Sequence, residues 1–360
     1  MHRPMFKVDP KLATRTIIQS VRRADADLRE AHAWLGKSNQ NTVGVATFAG
    51  AWLLMLTVGI LWLTGVLSGW VVVPVVAVGL SLLHELEHDL IHDLYFADRP
   101  RIQDLLFTGI WLGKMSLNPW SRRRLHRYHH RVSGQPEDIE ERLIGLGLPW
   151  GLRRLTLSLL PAGSLLVVPA ITRSVKAAVK AGAPRPDLVH APAFAMLRAI
   201  DGVFLLLPAV VLPAAILGNS LAIELAVLWV LPNTIRHFSI VVVSSNSHYT
   251  DIPRSTLFHQ NQVLDHWLTW PLQLFCFNFG ATHIIHHYVV KQPFYLRQLV
   301  WLRVRDVVRD QGVPFNDLGT FARANRRRAD EPIQALHPTV ATTCRDDWCR
   351  IPRDGGEGTG

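Results

Sequence analysis

Charge is scarce in this chain. Only 18% of its 360 residues are Asp, Glu, Lys or Arg, against about 25% in an ordinary soluble domain. Cysteine is scarcer still. Cys276 lies in an aromatic stretch and reads as a small core residue, while Cys344 and Cys349 match no common zinc spacing. Three cysteines so placed exclude a disulfide framework. No G-x-G-x-x-G unit is present, which argues against a built-in dinucleotide domain. No haem or iron–sulfur signature appears either. The first 40 residues lack the apolar core of a signal peptide, so the N-terminus is expected to be retained and cytoplasmic. No repeat of 20–50 residues is visible.

Uncharged apolar runs are abundant instead. A membrane span needs roughly 20 apolar residues. Four stretches qualify, near 42–64, 68–90, 195–217 and 221–243. They pair into two hairpins around the tight connections Gly65–Gly69 and Gly218–Ser220. The expected fold is an all-α integral membrane protein: two transmembrane helical hairpins, with the intervening segments forming a helical cap. Residues 1–41 read as a basic arm, 42–317 as the membrane domain and 318–360 as a flexible polar tail. The apolar stretch Leu155–Ile171 has two prolines and basic flanks, and is expected to lie in the interface or re-enter rather than cross. Pro208, Pro213 and Pro232 are expected to kink their spans. Asp201 and Glu224 are unusual inside spans, and should sit near an interface or face the bundle interior.

The formal charge of +10 does not point to nucleic acid. Lys and Arg gather beside the apolar runs, as lipid head groups and the positive-inside rule demand. The two tight turns contain neither residue. They are therefore expected to face outward, with both termini and the intervening segments in the cytoplasm.

Histidine carries most of the chemical information. His84, His88 and His92 are spaced i, i+4, i+8, close to one helical face. His126, His129 and His130 form H-x-x-H-H, and so do His283, His286 and His287. His248 follows the fourth apolar run. Imidazole is a neutral ligand suited to zinc, copper, iron or nickel. A single zinc site takes three or four ligands, so eight or nine histidines fit two metals. Two other readings stand beside this. His84-Glu85-x-x-His88 is the H-E-x-x-H signature of a zinc protease, which leaves both triplets unexplained. Bis-histidine haem ligation would likewise leave most of these residues unused.

The three boxes together resemble the membrane fatty acid desaturase and hydroxylase superfamily. "HDLIHDLYF" matches the first box in the register of His88 and His92, with Phe96 at the aromatic position and Asp104 as the downstream acid. "HRYHH" precedes "SGQPEDIEE", and "HIIHH" precedes a proline and aromatics. The resemblance implies two irons held by His88, His92, His126, His129, His130, His283, His286 and His287. It implies a ninth ligand at His248, with His237 as competitor and Asn246 as a water-holding neighbour. His84 departs from the pattern and is expected beside the ligands without binding metal. The implied reaction is O2-dependent oxidation of a fatty acyl or lipid chain, most simply desaturation, with hydroxylation or decarboxylation to a terminal alkene as alternatives. Electrons would come from a separate reductase or ferredoxin-type donor, a soluble acidic protein drawn to the basic face. Asp89, Asp93, Glu137, Asp138 and Asp251 are the expected acceptors for the outer ring nitrogens. Trp111, Trp120, Trp267, Trp270, Phe275, Phe277 and Phe279 line a substrate tunnel or anchor in the interface. Arg122 to Arg124 and Arg127 hold an anionic head or contact lipid.

Overall fold

A computed structural model describes residues 9–135, 138–145, 150–180, 193–249 and 257–323. Among them there is no named strand, only two isolated bridges. Helix α1 (Pro10–Ala31) starts at Asp9, whose side chain accepts from Lys11 N. Ala13, Ile17, Val21, Ala24 and Leu28 form its buried stripe, at the three-to-four spacing of one helical face. This segment, read above as an arm, is therefore built into the main core.

Helices α2 (Gln40–Leu63) and α3 (Gly69–Ile91) form the first hairpin. Gly65 turns the chain with a φ of 74°, where a side chain would be strained. The two ends of α3 differ in surroundings. Every residue from Leu83 to Ile91 is buried, whereas Trp70 is 92% exposed. That buried end carries the first histidine box. After Ile91 come α4 (Pro100–Lys114) and α5 (Pro119–Val132). Pro119 at the first turn and the Asn118 side chain, accepting from Ser121 N at 2.9 Å, start α5 cleanly. The second box rides on this helix.

Helix α6 (Ile139–Gly145) packs against α5 and carries two buried acids, Glu140 and Glu141. The stretch Leu155–Ile171 is not one helix. It is broken into α7 (Leu152–Leu159), a 3-10 turn over Gly163–Val167, and α8 (Val168–Lys180). Pro161 falls at the break, next to Ala162 at a φ of 57°. No single helix of spanning length forms there, as the two prolines suggested.

The second hairpin joins α9 (Ala193–Ile216) to a continuous helical rod over Ser220–Ser247. The rod comprises α10 (Ser220–Leu225), a π turn over Ala226–Val230 and α11 (Leu231–Ser247). Pro232 has no N–H to continue the normal ladder, and the wider winding lies directly before it. Asp201 faces the interior, 1% exposed, accepting from Trp111 Nε1 at 2.9 Å and Asn118 Nδ2 at 2.8 Å. Glu224 is half-buried near the turn end of the rod. Four helices are long and apolar enough to cross a membrane: Lys37–Leu63, Gly69–Ile91, Ala199–Ile216 and Ser220–Ser247. These are the four expected spans.

Short helices α12 (Leu257–Gln260) and α13 (Trp270–Leu274) lead to α14 (Phe279–Tyr288), which holds the third box. Helix α15 (Phe294–Asp310) then crosses behind α14 and packs on α1. The order continues past residue 318: Thr320 is fully buried and Arg323 pairs with Asp317. Cys344, Cys349 and the rest of the tail lie outside the described residues. Cys276 is buried among Ile240, Val243 and Phe279, as a core residue should be.

One close backbone approach sets the position of α14. A Cβ on Gly280 would stand 2.4 Å from the Leu264 carbonyl oxygen and 2.6 Å from Gln273 Nε2. Backbone cannot yield as a side chain can. Gly280→Ala is therefore expected to destabilise the protein by about 1–3 kcal/mol, the usual cost of overpacking, read as a lower thermal midpoint in detergent.

Candidate metal centre

Five segments converge on one buried cluster. The end of α3 supplies His88 and His92, α5 supplies His126, His129 and His130, and α14 supplies His283, His286 and His287. His248 follows α11, fixed by an antiparallel bridge to Asn261. The fifth segment, α6, supplies acids rather than histidines. His88, His92, His126 and His286 form one group of potential ligands, and His129, His248 and His287 a second. Within each group the ligand atoms lie within 4.8 Å of one another. His130 adjoins the first group, its Nε2 being 3.1 Å from His126 Nε2 and 2.9 Å from His286 Nε2. His283 adjoins the second, 3.0 Å from His287 between Nε2 atoms.

The rings are held from behind. Glu140 Oε2 lies 2.7 Å from His126 Nδ1, and Asp138 Oδ2 lies 2.8 Å from His129 Nδ1. His248 Nδ1 is 2.9 Å from the Ser244 carbonyl. These acceptors place the ring hydrogen on Nδ1 and leave the Nε2 lone pair pointing inward. Burial holds His92, His126, His130, His283, His286 and His287 well below the ordinary imidazole pKa. Burial also takes His248 down to about 3. Neutral imidazole is the ligating form. His129 is the exception: burial pulls it down, but the Asp138 carboxylate overrides this and holds it up at about 9.

The donor set fits metal ions. Nitrogens bound to a common ion at about 2.1 Å stand roughly 3–4 Å apart, close to the 2.9–3.1 Å of the tightest pairs in the cluster. Several buried ring nitrogens have no hydrogen-bond partner at all: both of His88, Nε2 of His92 and Nδ1 of His287. Lone pairs gathered at this distance repel unless a cation or proton stands between them.

The remaining expectations divide. His237 lines a cavity beside the cluster but belongs to neither group. His84 lines the same cavity, and its Nδ1 is 3.1 Å from Lys114 Nζ. Glu85 is engaged by Arg297 at 3.2 Å, so the His84-Glu85-x-x-His88 register assembles no site of its own. Asp138 is an acceptor as expected, but Asp93 is not. It pairs with Arg123 and Arg127, because the chain leaves α3 at His92 and turns outward. Asp89 accepts from Tyr95, Phe294 N and Arg297, and is 4.0 Å from His88 Nδ1. Glu137 and Asp251 lie outside the described residues. Asp104 is remote from the cluster's contacts and accepts from Trp120 Nε1 at 2.7 Å. Asn246 donates to the Val242 carbonyl, and its side-chain oxygen has no partner. Of the seven aromatics, only Phe279 lines the cavity, stacked on His283 at 3.9 Å. Trp267 and Trp270 are more than 60% exposed, in keeping with anchoring.

Sequence reasoning passes over Glu140, Arg297, Lys114 and Arg236. The signal for Arg236 is readable, since an ionisable residue inside an apolar span marks a functional site by default. No comparable signal marks Arg297, which reaches the site only because α15 crosses behind α14. Its guanidinium donates to His286 Nδ1 at 3.0 Å and to Asp89 Oδ1 at 3.1 Å. All three groups are buried. Arg297→Leu would strand Glu85 and Asp89 as buried, uncompensated carboxylates. The expected loss is about 3–5 kcal/mol, visible as failure to accumulate or a steep fall in thermal midpoint, with Arg297→Lys recovering part of it.

No curated protein matches the chain. The family model for fatty acid desaturases, however, matches residues 67–319, a stretch that contains all three boxes and His248. With that match over most of the chain, and three histidine boxes gathered at the ends of apolar helices, the protein belongs to the membrane fatty acid desaturase and hydroxylase superfamily.

Proposed function

We propose that the chain is a membrane-bound di-iron oxidase that uses O2 to desaturate a fatty acyl or related lipid chain. The observation carrying this is the paired grouping of histidines, four and three with His130 and His283 adjoining. A single-zinc hydrolase has no use for two groups. His88, His92, His126, His129, His130, His248, His283, His286 and His287 would hold the metals, with His248 favoured over His237 as the ninth ligand. Two irons, when bound, supply a centre that reduces O2 and attacks unactivated C–H bonds. In desaturation O2 takes four electrons, two from the substrate's C–H bonds and two from an external donor, and leaves as two waters.

The protein's own groups orient and enclose. Glu140 and Asp138 hold the His126 and His129 rings by Nδ1, and Arg297 holds His286 by Nδ1. The burial of the cluster excludes bulk water, which protects a strong oxidant from side reactions. Leu117, Leu125, Leu143, Ile240 and Val241 line an apolar cavity against His126, His129 and His248, suited to a hydrocarbon chain. Hydroxylation and decarboxylation begin with the same hydrogen abstraction, and chain placement decides among them.

The histidine cluster and both termini are assigned to the cytoplasm by the positive-inside rule, since the tight turns lack Lys and Arg. Electrons come from a separate acidic protein, so donor-driven turnover should fall as salt rises.

Metal analysis of the purified protein should give two irons per chain and less than stoichiometric zinc. His126→Ala and His286→Ala should each lose iron and abolish the oxidised product from O2, reductant and lipid. Glu140→Gln should weaken iron retention by about 10–100-fold. One zinc per chain, with His126→Ala active, would overturn the proposal.

A further inference from the structure

We propose that the cavity beside the histidine cluster binds the head of a free carboxylic acid, with Arg236 as its anchor. The inference rests on the lipid-oxidase reading and deepens it by naming the head group. Arg236 stands in the fourth span, is 2% exposed and lines the cavity. Its one hydrogen bond is from Nη2 to the Lys114 carbonyl at 3.3 Å, and its Nε has no partner. No carboxylate lies within ion-pair distance of it among the described residues.

Cations outnumber carboxylates on the cavity wall: Lys114, Arg122 and Arg236 stand against Glu140 and Glu141, and Glu141 lies on the histidine side, 3.3 Å from His248 Nδ1. Lys114 and Arg122 also line the cavity, and both draw on the one carboxylate of Glu87. Glu140 is 3.7 Å from Arg122 Nε but gives its other oxygen to His126. Asp201, the buried acid of α9, is committed to Trp111 and Asn118. His84 offers no relief. It faces Lys114 on one ring nitrogen and Arg122 on the other, at 3.1 and 3.4 Å, and a neutral imidazole has one lone pair to share. Arg236, buried without an ion-pair partner beside the buried Lys114 and half-buried Arg122, calls for an anion, because uncompensated charge in a membrane domain is costly. A guanidinium with free N–H groups matches a carboxylate in shape as well as charge. The other walls, Leu117, Leu125, Leu143, Leu157, Ile240 and Val241, are apolar and suit the acid's chain.

The position of this head has a consequence for the reaction. His84 precedes His88 by four residues on α3, and Arg122 precedes His126 by four on α5. Four residues advance a helix by about 6 Å. Arg122, and the His84 ring that Lys114 and Arg122 both contact, therefore lie about one helical turn from His126 and His88, while Arg236 reaches the same cavity from α11. A carboxylate held there presents the first few carbons of its chain to the metals, rather than mid-chain carbons.

Equilibrium binding to the purified full-length protein in detergent tests this, with palmitic acid, methyl palmitate and the palmitoyl thioester of coenzyme A as probes. The wild type should bind the acid about 10–100-fold more tightly than the ester, the worth of a charge-assisted hydrogen bond. The thioester should bind no better than the ester. Arg236→Gln should level acid and ester by weakening the acid alone, and its retained ester binding reports an intact fold. If Arg236→Gln holds neither probe, Arg236→Lys decides: a reduced preference for the acid supports the anchor, and an unchanged one overturns it. Equal binding of acid and ester by the wild type overturns the head-group proposal alone. Binding of no probe overturns it together with the lipid-chain reading.

Discussion

Imidazole nitrogens held about 3 Å apart in a buried site cannot be left to themselves. His126, His130 and His286 meet at Nε2 distances of 3.1 and 2.9 Å, and His248, His283 and His287 at 3.1 and 3.0 Å. Burial keeps most of these rings neutral, so each close pair of nitrogens must share a proton or a metal ion. Something positive must stand between them, and rigid partners must hold the rings behind. Glu140, Asp138, the Ser244 carbonyl and Arg297 provide that hold. Much of the fold follows from placing these partners. Glu140 on α6 and Asp138 just before it stand behind the α5 rings, and α15 brings Arg297 behind α14.

The membrane helices serve the same constraint from the other side. The inner end of α3 is surrounded by α2, α4, α5, α11 and α15, which is why a run from His84 to Asp89 with three acids can be fully buried. Each acid is matched: Glu85 and Asp89 by Arg297, and Glu87 by Lys114 and Arg122. Pairing of this kind is weak as a source of stability but severe when broken. It holds the polar face of the box rigidly, while Leu83, Leu86, Leu90 and Ile91 of the same segment pack in the hydrophobic core.

The cavity joins the two chemistries. One wall is histidine, another is apolar side chain, and a third is the Lys114, Arg122 and Arg236 group. On the proposed lipid-oxidase reading, a head-group anchor close to the histidines would fix which carbons face them more tightly than distant packing along a chain.

The spans, the hairpin turns and the three histidine boxes were legible in the sequence because each depends on local pattern. Apolar length decides a span, and i, i+3, i+4 spacing decides a helical face. The choice of His88 and His92 over His84 was also legible, since only that register agrees with the two triplets. The partners behind the rings were not. Glu140 sits 14 residues from His126, and Arg297 is 11 residues from His286 and 208 from Asp89. No periodicity links such positions, because they meet only where separate helices cross. Asp93 shows the converse: it is next to a box histidine in sequence, yet the chain reversal after α3 aims it at Arg123 and Arg127. The sequence by itself determined a four-span helical membrane protein with a multi-histidine centre. Only the tertiary structure decided which carboxylates orient those histidines and where unmatched positive charge is buried, because both depend on contacts between distant segments.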